Sequence, residues 1–210
     1  MTVGSNPIRI MAVDDHPLLL QGIVTIMGDQ PDMVIVAEAS NGREAIQKFR
    51  SHRPDVTLMD LQMPEMSGLD AMIAIRTEFP EAKFIVLTTY TGDVQVLRAM
   101  KSGARGYLLK NLLHKELLAT IRAVQDGKKT LSAEASYALA EHAGDSAMTP
   151  GEVDVLRLIA TGSANKQIAV QLSITEDTVK GRVKNILSKL GANDRTHAAM
   201  IGLKRGIIEF

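Results

Sequence analysis

The chain has 210 residues, 45% hydrophobic but only 3% aromatic with no Trp, so a core must be built from Ile, Val, Leu and Met. No run approaches the roughly 20 apolar residues of a membrane span, and the start MTVGSNPIRIMAV lacks the charged n-region and apolar h-region of a signal peptide. Without Cys there is no disulfide framework or zinc knuckle, which suits the cytoplasm, and the zero net charge hides an asymmetry: residues 1–147 hold 18 acidic and 15 basic side chains (−3), residues 148–210 hold 6 and 9 (+3).

In chain order, apolar runs at 8–13, 33–39, 55–60, 83–89 and 106–110 read as strands. Helical spacing fills 16–28, 42–52, 67–78, 93–103 and 113–126, for example Ala45, Ile46 and Phe49, or Val94, Leu97 and Met100. Ser40-Asn41-Gly42 precedes one helix, and Gly103 and Gly127 follow two others. Five strands alternating with five helices predict an α/β fold with a doubly wound, five-stranded parallel sheet covered on both faces. After Gly127 the period is lost. Residues 128–147 read as a linker in which 131–142 can form a helix, with Gly144-Asp145-Ser146 as a flexible joint. Residues 148–210 then read as four helices, about 150–161, 165–172, 176–190 and 195–206. The first is announced by a Thr149, Pro150, Glu152 capping box, and the third starts at Thr175 with Glu176 and Asp177 in its first turn. The expected domains are therefore 1–127, the linker 128–147, and 148–210.

A doubly wound sheet does its chemistry in the crevice at the carboxyl ends of its strands. Strand 1 there ends in Asp14-Asp15, strand 3 in Asp60, strand 4 in Thr88-Thr89 and strand 5 in Lys110. Three carboxylates this close would repel and take up a proton unless a cation joined them. Mg²⁺, a hard ion that prefers oxygen ligands, is suited to Asp14, Asp15 and Asp60. Asp60 then reads as a nucleophile toward a phosphoryl group, with Lys110 and the Thr88 hydroxyl holding the product's oxygens. Any one of these residues alone is more often a cap or a surface group. Their recurrence at matching strand ends is what carries the reading. His16 is best read as a helix-start residue beside the acidic pocket, and His52, His114, His142 and His197 lack ligand spacing.

These residues, as DDHP (14–17), DLQMPEMSG (60–68), TT (88–89) and GYLLK (106–110), closely resemble the flavodoxin-like receiver domain of two-component response regulators over residues 8–126. The resemblance implies that Asp60 accepts phosphate from a sensor histidine kinase, that Asp14 and Asp15 complete the Mg²⁺ pocket, and that Thr88 and Tyr107 are the switch residues. Asn111, where a proline is common, departs from the pattern. A core aromatic with its hydroxyl outward is the structural alternative for Tyr107.

In the third helix of the C-terminal part, Val179, Val183, Ile186, Leu187 and Leu190 form one apolar stripe. The opposite face carries Lys180, Gly181, Lys184 and Ser188. Gly181 in mid-helix costs about 1 kcal/mol against Ala, which a close approach to another molecule would explain. A helix apolar on one side and basic on the other suits a DNA major groove, although exposed lysines more often simply solvate. GSANKQIA (162–169), TVK (178–180), NILSKLG (185–191) and Arg195-Thr196 resemble the LuxR-type helix-turn-helix of NarL/FixJ response regulators. This implies base contacts by Lys180 and Lys184 around Gly181, phosphate contacts by Lys166 and Thr178, and a bracing role for Glu152. Gly151 stands where an arginine is usual and Arg182 where a histidine is. The whole reads as a cytoplasmic, phosphorylation-switched transcription regulator that binds double-stranded DNA and forms a homodimer when phosphorylated. The rivals are a phosphate-independent DNA binder and, from another class, a phosphoaspartate-forming phosphatase. Against the enzyme, neither Leu61 nor Gln62 beside Asp60 can act as its acid or base.

Overall fold

In the computed structural model, residues 6–89 and 92–208 are described. They divide into two compact units, one of residues 6–89 and 96–136, the other of 92–95 and 137–208. The elements of the first run β1 (Ile8–Val13), α1 (Pro17–Gly28), β2 (Met33–Ala39), α2 (Gly42–His52), β3 (Val56–Asp60), α3 (Gly68–Glu78), β4 (Phe84–Thr88), α4 (Asp93–Lys101), β5 (Ala104–Leu109), α5 (Leu113–Gln125) and β6 (Thr130–Leu131). The helix α6 (Ala133–Glu141) follows.

Every ladder is parallel, and the strand order is β2-β1-β3-β4-β5-β6. Alternate residues of each strand serve opposite faces. Ile10, Ala12, Val56, Leu58, Ile85, Leu87 and Leu108 join Leu20, Ile23 and Met27 of α1 and Leu117, Ile121 and Val124 of α5 in one core layer. On the other side α2 and α3 pack together, where Phe49 stacks with Phe84 at 6.2 Å and meets Phe79 at 5.3 Å. Asn41 caps α2 by accepting from the Glu44 backbone N–H, and Ser67 caps α3 in the same way from Asp70.

The sheet has six strands, not five. β6 belongs to the expected linker and pairs Thr130 with Gly106 and Leu131 with Tyr107, and the Ser132 N–H donates to the Tyr107 carbonyl at 3.1 Å. Gly106 permits this approach, because a Cβ there would lie 3.0 Å from Ile85 Cγ1 and 3.1 Å from Thr130 Oγ1. β5 also starts earlier than the apolar run indicated, and Lys110 opens a short 3₁₀ turn, Lys110–Leu112, in place of the last strand residue.

The second unit contains α7 (Pro150–Ala160), α8 (Asn165–Gln171), α9 (Glu176–Leu190) and α10 (Arg195–Lys204). The capping box of α7 is complete: the Glu152 N–H donates to Thr149 Oγ1, and the Thr149 N–H donates to Glu152 Oε2 at 2.7 Å. Val155, Leu156, Ile159, Ile168, Val179, Ile186 and Ala198 form the core, with Val183, Leu187 and Leu190 of the expected α9 stripe partly buried against it.

Gly68, at the start of α3, sits against the carbonyl of Asp60: a Cβ there would fall 1.8 Å from that oxygen, a backbone atom that cannot step aside. Gly68→Ala is therefore expected to cost about 1–3 kcal/mol, as overpacking does. Gly28→Ala, a helical position with nothing within 4 Å, should not lower the melting temperature followed by circular dichroism.

Candidate functional site

The order of the strands decides which side chains meet. β1 and β3 are neighbours, and the order in which strands are added reverses here, because β2 lies on one side of β1 and β3 on the other. Val13 is in register with Met59, so the residues that follow, Asp14 and Asp60, leave adjacent strand ends side by side. This is the switch point where doubly wound sheets bind ligands. Both carboxylates are buried, Asp14 at 1% and Asp60 at 3% exposure.

Lys110 reaches the same place from the end of β5. Its Nζ lies 2.7 Å from Asp14 Oδ2 and 2.9 Å from Asp60 Oδ2. Burial pushes the Asp60 carboxyl above its ordinary pKa, helped by the neighbouring Asp14 charge and opposed by Lys110. Burial alone would lower the pKa of Lys110, but its bonds and attraction to Asp14 and Asp60 outweigh this and raise it. The ammonium thus stays charged, one cation among several carboxylates. Asp15, half-buried, faces the His16 ring, whose Nδ1 lies 2.7 Å from Asp15 Oδ1 and 3.2 Å from Asp14 Oδ1. Oxygen atoms of Asp14, Asp15 and Asp60 and a ring nitrogen of His16 lie within 4.8 Å of one another. Asp14 Oδ2 lies against the Lys110 ammonium and Asp15 Oδ1 against the His16 ring; both are buried, and each oxygen, with two lone pairs, retains capacity for a cation. The oxygen-rich donor set fits a hard divalent ion such as Mg²⁺.

Thr88 ends β4, and Tyr107 lies across from Val86 on β5. Both are 1% exposed, and the Tyr107 hydroxyl is hydrogen-bonded to the Thr88 side chain. Burial raises the phenol's pKa, with the Thr88 bond opposing. The hydroxyl therefore points inward, against the alternative of an outward one. Among the described residues no peptide bond is cis.

In the second unit Lys180, Gly181, Lys184 and Ser188 are exposed along the side of α9 away from its core, Thr178 is exposed in the first turn, and Lys166 is exposed on α8. Lys180 is not idle: its Nζ lies 3.1 Å from Asp177 Oδ1 and 3.8 Å from Glu176 Oε1, and the bond to Asp177 raises its pKa. Thr178 Oγ1 is 2.8 Å from the Thr175 hydroxyl. A Cβ on Gly181 would meet nothing within 4 Å among the described residues, so none of them requires the glycine. Glu152 is 4% exposed and takes Lys189 Nζ at 2.8 Å, an ion pair between α7 and α9 that sequence reasoning missed. The signal was present: a glutamate in a core helix demands a cation, and Lys189 stands on the flank of the apolar stripe.

Burial works to raise the Glu152 pKa, but the Lys189 bond and the two Thr149 bonds prevail and lower it. Because the folded pKa is depressed, the resulting stability is fully present above the ordinary glutamate value, about 4.3, and is lost as pH falls through the folded one. Glu152→Gln should lower the melting temperature at neutral pH and remove part of its acid-side decline, checked by melts from pH 7 to pH 3.

Residues 10–122 match the response regulator receiver domain, and residues 146–201 match bacterial regulatory proteins of the luxR family. The chain is 36% identical over 206 residues to the nitrate/nitrite response regulator NarL of Escherichia coli K12, covering 94% of this chain and 95% of NarL. It is 36% identical over 209 residues to the transcriptional regulatory protein LiaR of Bacillus subtilis, covering 96% of this chain and 99% of LiaR. Among solved structures, the RcsB–DNA complex superposes with a TM-score of 0.73 at 25% identity, covering 95% of this chain and 99% of that one.

Proposed function

The chain belongs to the two-component response regulators with a LuxR-type DNA-binding domain, and we propose that phosphorylation of Asp60 switches its activity on DNA. The observation that carries this reading is the buried Asp60 carboxylate at the switch point of the sheet, 2.9 Å from the Lys110 ammonium and beside Asp14 and Asp15.

In this reading an Asp60 oxygen attacks the phosphorus of a phosphohistidine on a sensor kinase. The new O–P bond forms as the P–N bond breaks, and the imidazole leaves. A Mg²⁺ held by Asp14, Asp15 and Asp60 would offset the charge on the transferring group. Lys110, already bridging Asp14 and Asp60, exchanges its hold on the Asp60 carboxylate for a phosphoryl oxygen. Thr88 turns its hydroxyl toward the same group, giving up its bond to Tyr107, and the buried ring is freed to reorient. The added charge is a local electrostatic event acting on a two-state element. It favours pairing of two chains on a two-fold DNA site. On α9, Lys180 and Lys184 read base edges around Gly181, while Lys166 and Thr178 contact phosphates. Lys180 must first leave Asp177 and Glu176, so its net gain on DNA is smaller than that of Lys184.

Incubation with Mg²⁺ and acetyl phosphate should give one phosphoryl adduct by intact mass, absent in Asp60→Ala, together with increased self-association and tighter DNA binding. Equal DNA affinity with and without the adduct would sink phospho-control, and rapid multiple turnover of the donor would favour the phosphatase. Gly181→Ala gives a second, independent check. With open space around it, the substitution should stabilise the second unit by about 1 kcal/mol in urea melts. If the glycine lies against bases, the same variant should bind DNA more weakly. A stabilised protein with unchanged DNA affinity would remove Gly181 from the interface.

A further inference from the structure

Arg182 lies on the flank of α9, between its apolar stripe and its outward basic face. It is half-buried, and its Nη1 donates to the Gly151 carbonyl at 3.3 Å. The guanidinium occupies the space of a missing side chain: a Cβ on Gly151 would lie 2.7 Å from both Cζ and Nη1 and 3.0 Å from Nη2. Lys189, two helical turns further on the same flank, holds Glu152 at 2.8 Å and donates to the Ala147 carbonyl at 3.0 Å. Two cations of α9 thus grip the opening of α7 at adjacent residues. Gripping one flank at two points opposes both tilting of α9 and its rotation about its own axis. Placing a guanidinium beside a helix N-terminus works against the α7 dipole. Arg182 therefore does little for the stability of α7, and its effect falls on the orientation of α9.

We infer that Arg182 is a positioning residue for DNA reading, seated on the bare Cα of Gly151, and that the two residues act as one unit setting the rotation of α9. The inference rests on the reading of α9 as the DNA-contacting helix. Its chemical consequence is a division of labour among neighbouring cations. Lys184 meets DNA, whereas Arg182 is occupied within the protein and contributes to the choice of sequence without neutralising a phosphate. Gly151→Ala is a gentle probe, since the atoms its Cβ would strike are the far end of a flexible side chain. The fold can keep its place while the guanidinium is turned out.

The test uses the full chain and a duplex selected from a random-sequence library by the wild-type protein, with an unrelated duplex for comparison. Wild type, Arg182→Met, Gly151→Ala and the double variant are titrated across a salt series, with circular dichroism melts alongside. Arg182→Met should narrow the ratio of selected to unrelated affinity by about fivefold to tenfold with an unchanged salt slope. Gly151→Ala should give a similar narrowing without a large drop in melting temperature, and the double variant should be no worse than either, because both remove one interaction. A salt slope smaller by about one in Arg182→Met would make the residue a phosphate contact and overturn the proposal. A silent Gly151→Ala, or additive losses in the double variant, would overturn it too. Lys184→Ala separates the underlying reading: losing a base contact should weaken binding to the selected duplex by about tenfold and leave binding to the unrelated duplex nearly unchanged. If it does not, the assignment of α9 fails and the positioning role falls with it.

Discussion

The first unit depends on one ammonium. Lys110 Nζ stands within 2.9 Å of two carboxylates that are almost wholly buried, Asp14 and Asp60, at the ends of neighbouring strands. Carboxylates withdrawn from water are costly unless paired, and removing the cation would leave like charges facing each other in a poorly solvated place. That cost ties the strand ends to one another. The turn after β5 has to deliver Lys110 across the β4 end to the β1–β3 junction, and Gly68 has to be bare so that α3 can start against the Asp60 carbonyl. Because Lys110 alone does not balance Asp14, Asp15 and Asp60, the site keeps an excess of negative charge. That unmet negative charge is what suits the pocket to the divalent cation and phosphoryl group of the proposed function.

The second unit solves a related problem with a different emphasis. Its buried carboxylate, Glu152, is held two ways: Oε2 accepts from the Thr149 backbone N–H and pairs with the Lys189 ammonium, while the Glu152 N–H donates to the Thr149 hydroxyl to complete the capping box. These bonds brace the start of α7 against α9. The basic residues that remain exposed on α9 and α8 face outward instead. Under the proposed function, a structural cation differs from a DNA-contacting one in whether a partner within the chain already holds it. Lys189 and Arg182 are claimed, Lys180 is claimed loosely by exposed acids, and Lys184 and Lys166 are exposed.

Most of the fold was legible because its signals are local. Caps at Asn41, Thr149 and Thr175, apolar strands bounded by polar ends, and the α9 stripe each need only a few neighbouring residues to be read. The acidic pocket was legible for a different reason: the alternation of strands and helices fixes which ends share an edge, so Asp14, Asp60 and Lys110 could be placed together without coordinates. What escaped depends on long-range placement. β6 is two residues of linker with no periodicity of their own, and it exists because Gly106 leaves room beside β5. The seat of Arg182 on Gly151 joins residues 31 apart in sequence. Each had seemed a separate irregularity of its own helix. The physical link between them, one residue's missing Cβ filled by the other's guanidinium, appears only when α7 and α9 are packed.

Tyr107 shows how closely the legible and illegible parts meet. Its hydroxyl end was read as half of a switch, and it does bond to Thr88 at the chemical edge of the sheet. Its backbone end belongs to the extension that was not foreseen, pairing with Leu131 and accepting from the Ser132 N–H. Ser132 is itself buried, and its hydroxyl accepts from the Ala135 N–H to start α6. A single residue therefore ties the strand end beside the acidic pocket to the first turn of the helix that leaves the sheet. The Leu131 and Ser132 bonds fix the backbone of Tyr107, so its ring is held in place by packing and by the Thr88 bond. β6 is thus more than an accidental sixth strand: it is the point where the segment after the receiver sheet is bound to the residue beside Thr88.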